Sequence, residues 1–320
     1  MAGTISSVKA RINGQEYTLT LNSSTGKYEA QGIAPAASSF NLSGGYYPVE
    51  IIAAYETGTT STVNANTEGA IGKACRLVVK EKIKPVAVIT YPTQGQYITS
   101  ELKKIEFTVL DNSAQESGFS GINPDSIVMT VSGENLSEDI IVSGRNNFNI
   151  TETNGGYLCV YSIPSDTVLP DGDYTISVNV SDNDSNAAEK VSVIFTIDTA
   201  PPELSVTAPV EGLSTANNKI TVSGKTSDVT SAPVTIKISV NGKDTGTVTV
   251  DADGDFNKEI TFGNSGNQTI VITATDAAGK SSSVTRNIYF SADLPEFKSV
   301  TIVPNPVDGG TTFTITVEVE

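Results

Sequence analysis

Acidic side chains are where chemistry could reside in this chain of 320 residues. Asp251-Ala252-Asp253-Gly254-Asp255 spaces three carboxylates much as part of a calcium loop does, because hard cations gather carboxylate oxygens. The run lacks the closing glutamate that would supply a bidentate ligand, and Asp and Gly are equally the residues of a hairpin turn. An uncharged counterpart, Asn22-Ser23-Ser24-Thr25-Gly26-Lys27, stands at the equivalent place earlier in the chain and favours the turn. Asp182, Asp184 and Asp198 fall near a joint between two segments, where calcium could be held as an interdomain cation. These six aspartates are the metal candidates, and calcium is the one cofactor the residues leave open.

Paired carboxylates can also hydrolyse glycosides, their separation being set by the fold. Such sites stack sugars on aromatic rings, yet the chain has no Trp. The role would fall to Tyr46, Tyr47, Tyr91, Tyr97 or Tyr157, which serve equally as core or corner residues. His is absent too. That removes the commonest general base, the usual partner of a nucleophilic Ser or Cys, and the commonest nitrogen ligand of zinc. Gly44-Gly45 and Gly309-Gly310 are followed by no helical pattern, so they read as turns and not phosphate cradles. Cys75 and Cys159 lie in separate segments and read as small buried apolar residues. The expectation is a protein that is not an enzyme and has no catalytic residue.

Acids outnumber bases by 36 to 20, a formal charge of −16 spread thinly along the chain. Nucleic-acid binding depends on Lys and Arg releasing counterions from phosphates, so neither nucleic acid nor an anionic membrane is expected as a partner. No eighteen apolar residues run together, which argues against membrane insertion. Met1-Ala2-Gly3-Thr4-Ile5-Ser6-Ser7-Val8 leads straight into a strand, with neither the basic start nor the apolar segment of a secretory leader. The chain is therefore expected to be made in a cytoplasm and not exported by the general route.

The elements that must position any site are strands. Asp198-Thr199-Ala200-Pro201-Pro202 opens a stiffened joint that runs into Leu204, Val206 and Pro209; Pro85 to Pro92 repeats the spacing of Pro202 to Pro209, and Pro295 to Pro304 is a longer third copy. Proline fixes its own φ and pushes the preceding residue toward extended geometry, so each copy reads as a semi-rigid hinge feeding an edge strand. Asn13-Gly14 and Asn241-Gly242 sit between alternating apolar runs, the pattern of a tight hairpin. Each is followed at the same interval by a second turn, Gly26-Lys27-Tyr28 and Gly254-Asp255-Phe256. Strict alternation over Ile105, Phe107 and Val109, over Tyr174, Ile176, Val178 and Val180, and over Val191, Val193, Phe195 and Ile197 marks strands with one face in a core. Residues 59–74, Asp111–Pro124 and Asn146–Gly156 read as loops. The fold class is all-β: immunoglobulin-like antiparallel sandwiches over 1–83, 84–199 and 200–292, and a C-terminal hairpin, a partial further domain, over 293–320.

Three stretches carry a family resemblance: Pro201-Pro202-Glu203-Leu204-Ser205-Val206-Thr207-Ala208-Pro209, the Asn-Gly hairpin, and Ile270-Val271-Ile272-Thr273-Ala274-Thr275-Asp276-Ala277-Ala278-Gly279. Together they resemble bacterial immunoglobulin-like domains of surface and phage proteins. Leu169-Pro170-Asp171-Gly172-Asp173-Tyr174 is similar to the corner of an immunoglobulin sandwich, anchored by Tyr174. Val300-Thr301-Ile302-Val303-Pro304-Asn305-Pro306-Val307-Asp308-Gly309-Gly310 resembles the end of immunoglobulin-like tail proteins of phages and phage-derived particles of Gram-positive gut bacteria. The resemblance implies a structural rod of a phage tail, baseplate or tail-like particle, located in the virion. It also implies other tail or baseplate proteins as partners, docked by strand addition on Phe313, Ile315, Val317 and Val319. A host-surface glycan or a second copy of the chain is open as a further partner. The alternative is a Gram-positive cell-surface adhesin or carbohydrate-binding module.

Overall fold

The computed structural model describes residues 3–111, 118–293, 295 and 297–320. Its first strands are β1 (Ile5–Ile12), β2 (Gln15–Asn22), β3 (Lys27–Glu29), β4 (Tyr47–Tyr55) and β5 (Thr60–Val63), followed by a short helix α1 (Gly69–Ala74) and β6 (Arg76–Leu77). Next come β7 (Val86–Tyr91), β8 (Tyr97–Ile98), β9 (Lys104–Leu110), β10 (Ile122–Gly133), β11 (Ile140–Ser143), β12 (Asn149–Thr153), β13 (Gly156–Ser162), β14 (Gly172–Asp182) and β15 (Val191–Ile197). The third group is β16 (Glu203–Ala208), β17 (Ser214–Thr215), β18 (Lys219–Ser227), β19 (Thr235–Val240), β20 (Lys243–Asp244), β21 (Asp255–Thr261), β22 (Gly266–Thr275) and β23 (Ser281–Phe290). A final pair, β24 (Phe297–Val303) and β25 (Thr314–Val319), follows. The chain is a tandem array of immunoglobulin-like β-domains. No helix among the described residues is long and apolar enough to cross a membrane.

Contacts divide the chain into two compact units, Met1–Gln96 with Glu101–Phe195, and Tyr97–Ser100 with Thr196–Glu320. In the first unit, β3-β2-β1-β4-β5 form one six-stranded sheet with β6 on β4. Its opening hairpin pairs Ile12 with Gln15 across Asn13 and Gly14, which both take positive φ, +48° and +78°. That is the backbone a two-residue turn needs to match the strand twist. Residues 59–74 are not the irregular loop expected of their Thr, Asn and Gly content: they carry β5, paired with β4, and α1. Tertiary pairing overrides a weak local pattern there.

The rest of this unit holds a sheet β12-β13-β9-β7 and strands β11, β10, β14 and β15 in that order. Ile105, Phe107 and Val109 of β9 and Ile176, Val178 and Val180 of β14 are essentially inaccessible, as their alternation predicts. Burying side chains of this size contributes about 1.5–3 kcal/mol each, before chain entropy is counted. Tyr174 stacks on Phe195 with ring centroids 5.5 Å apart, and its hydroxyl donates to Pro170 O at 2.6 Å, closing the expected corner. The loop read over Asp111–Pro124 ends earlier, at β10, and its residues 112–117 lie outside the described residues. Asn146–Gly156 contains β12, paired with β13.

In the second unit, β8 pairs in parallel with Thr196 and Ile197 at the end of β15. Two sheets follow, β16-β18-β21 and β17-β23-β22-β19-β20. Val222, Ile238, Phe256, Ile260, Ile270, Ile272 and Ala274 form the centre of their shared core. Asn241 and Gly242 repeat the positive-φ turn at +50° and +80°. β24 and β25 pair antiparallel, and every residue of both is exposed.

Candidate functional site

Two strand ends and one joint meet twice in this chain. Glu81 lies five residues before β7 begins, and Asp198 five residues before β16 begins. Asp111 follows the last residue of β9, and Asp228 follows the last residue of β18. Asp182 ends β14, and Asp276 follows β22. One carboxylate oxygen from each of Glu81, Asp111 and Asp182 lies within 4.8 Å of the other two, and the same holds for Asp198, Asp228 and Asp276.

Local turns hold the carboxylates in place, and the two sets are built alike. Asn186 N–H donates to Asp182 Oδ1 at 2.8 Å, and Lys280 N–H donates to Asp276 Oδ1 at 2.8 Å. The backbone closes the same turn each time, with Asp182 N–H on Asn186 O and Asp276 N–H on Lys280 O, both at 3.1 Å. The loop after the second strand is pinned to it: Asn183 N–H reaches Gly121 O and Ala277 N–H reaches Ser231 O, both at 2.9 Å. Gly121 N–H donates to Asp111 Oδ2, while Thr230 and Ser231 N–H donate to Asp228 Oδ1 at 2.8 and 2.7 Å. Finally a serine hydroxyl touches the joint residue, Ser120 on Glu81 Oε1 at 3.3 Å and Ser231 on Asp198 Oδ2.

Burial makes these groups costly. Asp111, Asp182, Asp198 and Asp276 are 3%, 1%, 0% and 6% exposed, and Glu81 is 7% exposed. Asp111 Oδ1, Asp198 Oδ1 and Asp276 Oδ2 are buried without any hydrogen-bond partner. No Lys or Arg of the described residues forms an ion pair with any of the six acids. Burial, reinforced by the Asp182 side chain, pushes Glu81 up to about 7; burial also pushes Asp111 up to about 6, with Asp182 and Asp184 adding to it. Each set is a shell of hard oxygen donors. Five of the six carboxylates are buried and Asp228 is half-buried, an arrangement suited to holding a cation.

Residues 202–291 match the family model described as glucodextranase, domain B. No curated protein matches the chain. Among solved structures, the fibronectin(III)-like modules of Clostridium thermocellum CbhA align at 15% identity over 65% of this chain and 96% of theirs, with a TM-score of 0.35. Sidekick-1 immunoglobulin domains 1–5 align at 11% identity over 98% of this chain and 60% of that one, at a TM-score of 0.39. A tetra-tandem repeat from the extending region of a large adhesion protein aligns at 16% identity over 100% and 81%, at 0.33. At such identities and scores no residue's role passes from these proteins to this chain.

Of the six aspartates singled out by sequence, the fold brings Asp182 into the first set and Asp198 into the second. Asp184 instead serves as an anchor: its Oδ2 accepts from Glu81 N–H at 3.0 Å, its own N–H donates to Ser120 Oγ at 3.1 Å, and its carbonyl accepts from Lys80 Nζ. Asp251, Asp253 and Asp255 belong to neither set. Asp251 Oδ1 accepts from the N–H groups of Asp253 and Asp255 at 3.0 and 2.9 Å, so its carboxylate closes its own turn. Glu81, Asp111, Asp228 and Asp276 went unnoticed because they are far apart in sequence. The available signal was the kinship of Asp182-Asn183-Asp184-Ser185 with Asp276-Ala277-Ala278-Gly279, together with an acid ahead of each joint.

Among the tyrosines considered for sugar stacking, Tyr47 is buried and donates to Ala37 O at 3.1 Å, and Tyr46 lies under the Arg76 guanidinium, 4.9 Å from the ring centre. Phe313, Ile315, Val317 and Val319 are all exposed, in or just before β25. Cys75 and Cys159 are free and buried.

Proposed function

We propose that this chain is a non-enzymatic structural protein of a phage tail, baseplate or tail-like particle, in which serial immunoglobulin-like domains act as a spacer or decoration. The observation that carries this reading is the threefold recurrence of one joint and strand pair. β7 with β9, β16 with β18, and β24 with β25 all pair antiparallel, each with a shift of register in its first strand. Serial copies of one domain suit a protein whose work is reach and display, since each bead adds length without adding chemistry. The resemblance of Val300 to Gly310 to tail proteins supplies the particle. Exposed apolar residues Phe313, Ile315, Val317 and Val319 supply a surface for a neighbouring tail protein, by strand addition at the open edges of β24 and β25.

Antibody labelling of purified particles in the electron microscope tests the reading, with density expected at the tail or baseplate. Unlabelled particles from cells that make the protein would refute it. A second reading, a cell-surface adhesin or carbohydrate-binding module, draws on the match of residues 202–291 to a domain of a carbohydrate-active enzyme. It predicts label on the cell wall and retention of the chain on a glycan array that includes dextran.

A further inference from the structure

We infer that the chain carries two divalent-cation sites of one design, the first held by Glu81, Asp111 and Asp182 and the second by Asp198, Asp228 and Asp276, and that calcium is the ion they take. Gathered acids alone would not support this, because exposed carboxylates cluster freely at protein surfaces. Here five of the six acids are buried and Asp228 is half-buried, and three of the buried ones, Asp111, Asp198 and Asp276, each keep one oxygen that no donor reaches. A buried oxygen of this kind costs about 1–3 kcal/mol unless something satisfies it. One such oxygen stands in the first set, where Asn186 Nδ2 and Ile83 N–H reach the second oxygens of Asp182 and Glu81, and two stand in the second set; each set thus keeps a buried acceptor with the same kind of partner missing.

That partner must be positive, small and oxygen-seeking. No basic side chain among the described residues pairs with the acids, so the negative charge of each set has no protein counterion. Oxygens on opposite sides of a calcium ion stand about 4.6–5.2 Å apart, against about 4.0–4.2 Å for magnesium. Donor oxygens no more than 4.8 Å from one another can share one ion of either size, so the choice of calcium rests on the enclosure of the site. Magnesium releases its water reluctantly, which an enclosed site disfavours. Waters and main-chain carbonyls would complete the shell.

Duplication argues the same way. The turns behind Asp182 and Asp276 close with the same bonds at the same lengths, although their sequences, Asn183-Asp184-Ser185-Asn186 and Ala277-Ala278-Gly279-Lys280, share no residue in register. What is retained is the acid at each corner. In each unit the ion would tie the segment leading into the first strand of a sandwich, through Glu81 or Asp198, to the loops at the end of that same sandwich. The inference is independent of the particle assignment, since it concerns only how each joint is held.

The test uses the full chain, stripped with EDTA and titrated by calorimetry with calcium chloride, with magnesium chloride as comparator. We expect two calcium equivalents per chain with Kd of about 0.1–1 mM, the range of extracellular calcium modules. Asp111→Asn and Asp276→Asn should each remove one equivalent and the double variant both. Thermal melts in EDTA establish that the variants fold; should either fail to, Glu81→Gln and Asp228→Asn replace them. An absence of calcium heat up to about 10 mM, unchanged stoichiometry in the double variant, or equal affinity for magnesium would overturn the assignment.

Discussion

The Ser231 hydroxyl donates to one carboxylate oxygen of Asp198, and both residues are fully enclosed. The other oxygen of Asp198 has no donor. Ser231→Ala would leave both oxygens without a side-chain donor and should destabilise the chelated protein by about 1–3 kcal/mol. Urea unfolding measures this, and a midpoint equal to that of the unmodified chain would show that the contact contributes nothing.

Tyr174 offers a cleaner hydrogen-bond measurement. Its hydroxyl reaches Pro170 O at 2.6 Å while its ring stays stacked on Phe195. Tyr174→Phe keeps the ring and removes the donor, so stability should fall by about 1 kcal/mol without loss of fold. Circular dichroism during denaturation follows both quantities.

Two turn glycines should respond differently to alanine. Gly242 has φ of +80° with nothing within 4 Å of the position a Cβ would take, so Gly242→Ala should cost only the left-handed backbone, about 1–2 kcal/mol. Gly254 has φ of +83°, and its added Cβ would stand 2.1 Å from Thr226 O. Gly254→Ala must also move a strand backbone. Its melting temperature should drop well below that of the Gly242 variant; equal losses would mean the backbone at Thr226 yields freely.

In the presence of chelator the first carboxylate set should make the protein acid-loving. Burial raises Glu81 to about 7 and Asp111 to about 6, above their values in an unfolded chain. The folded protein then holds protons that the unfolded one has released, so stability is greatest below the unfolded values and is lost as pH rises through the folded ones. The melting temperature in EDTA should accordingly fall between about pH 5 and about pH 8, and Glu81→Gln should flatten that fall. A melting temperature that rises across the interval would contradict the sign.

Much of this fold was legible along the chain because its signals are local. Asn13-Gly14 and Asn241-Gly242 need only their own φ to turn, and alternation in β9, β14 and β22 needs only the period of a strand to sort faces. Long-range partnership is not local. Tyr28 and Phe256 follow their turns at the same interval, yet β3 extends the sheet of β2, whereas β21 joins β18 in the sheet opposite β19. Spacing fixed the turn, but not the burial of the ring that follows it: Phe256 lies in the core of its sandwich, while Tyr28 is half-buried on β3.

The same division holds for the carboxylates. Sequence alone determined that the chain has acids in excess, no His, and repeated joints, which left oxygen coordination as its foremost chemistry. Only the tertiary structure decided which acids meet. Asp251, Asp253 and Asp255 are neighbours in the chain and spend their charge on a turn, while Asp198 and Asp276, seventy-eight positions apart, converge because strand ends of one sandwich share one rim. Proximity along a chain sets what a backbone can bond to itself; proximity in a packed fold sets which charges must find a common counterion.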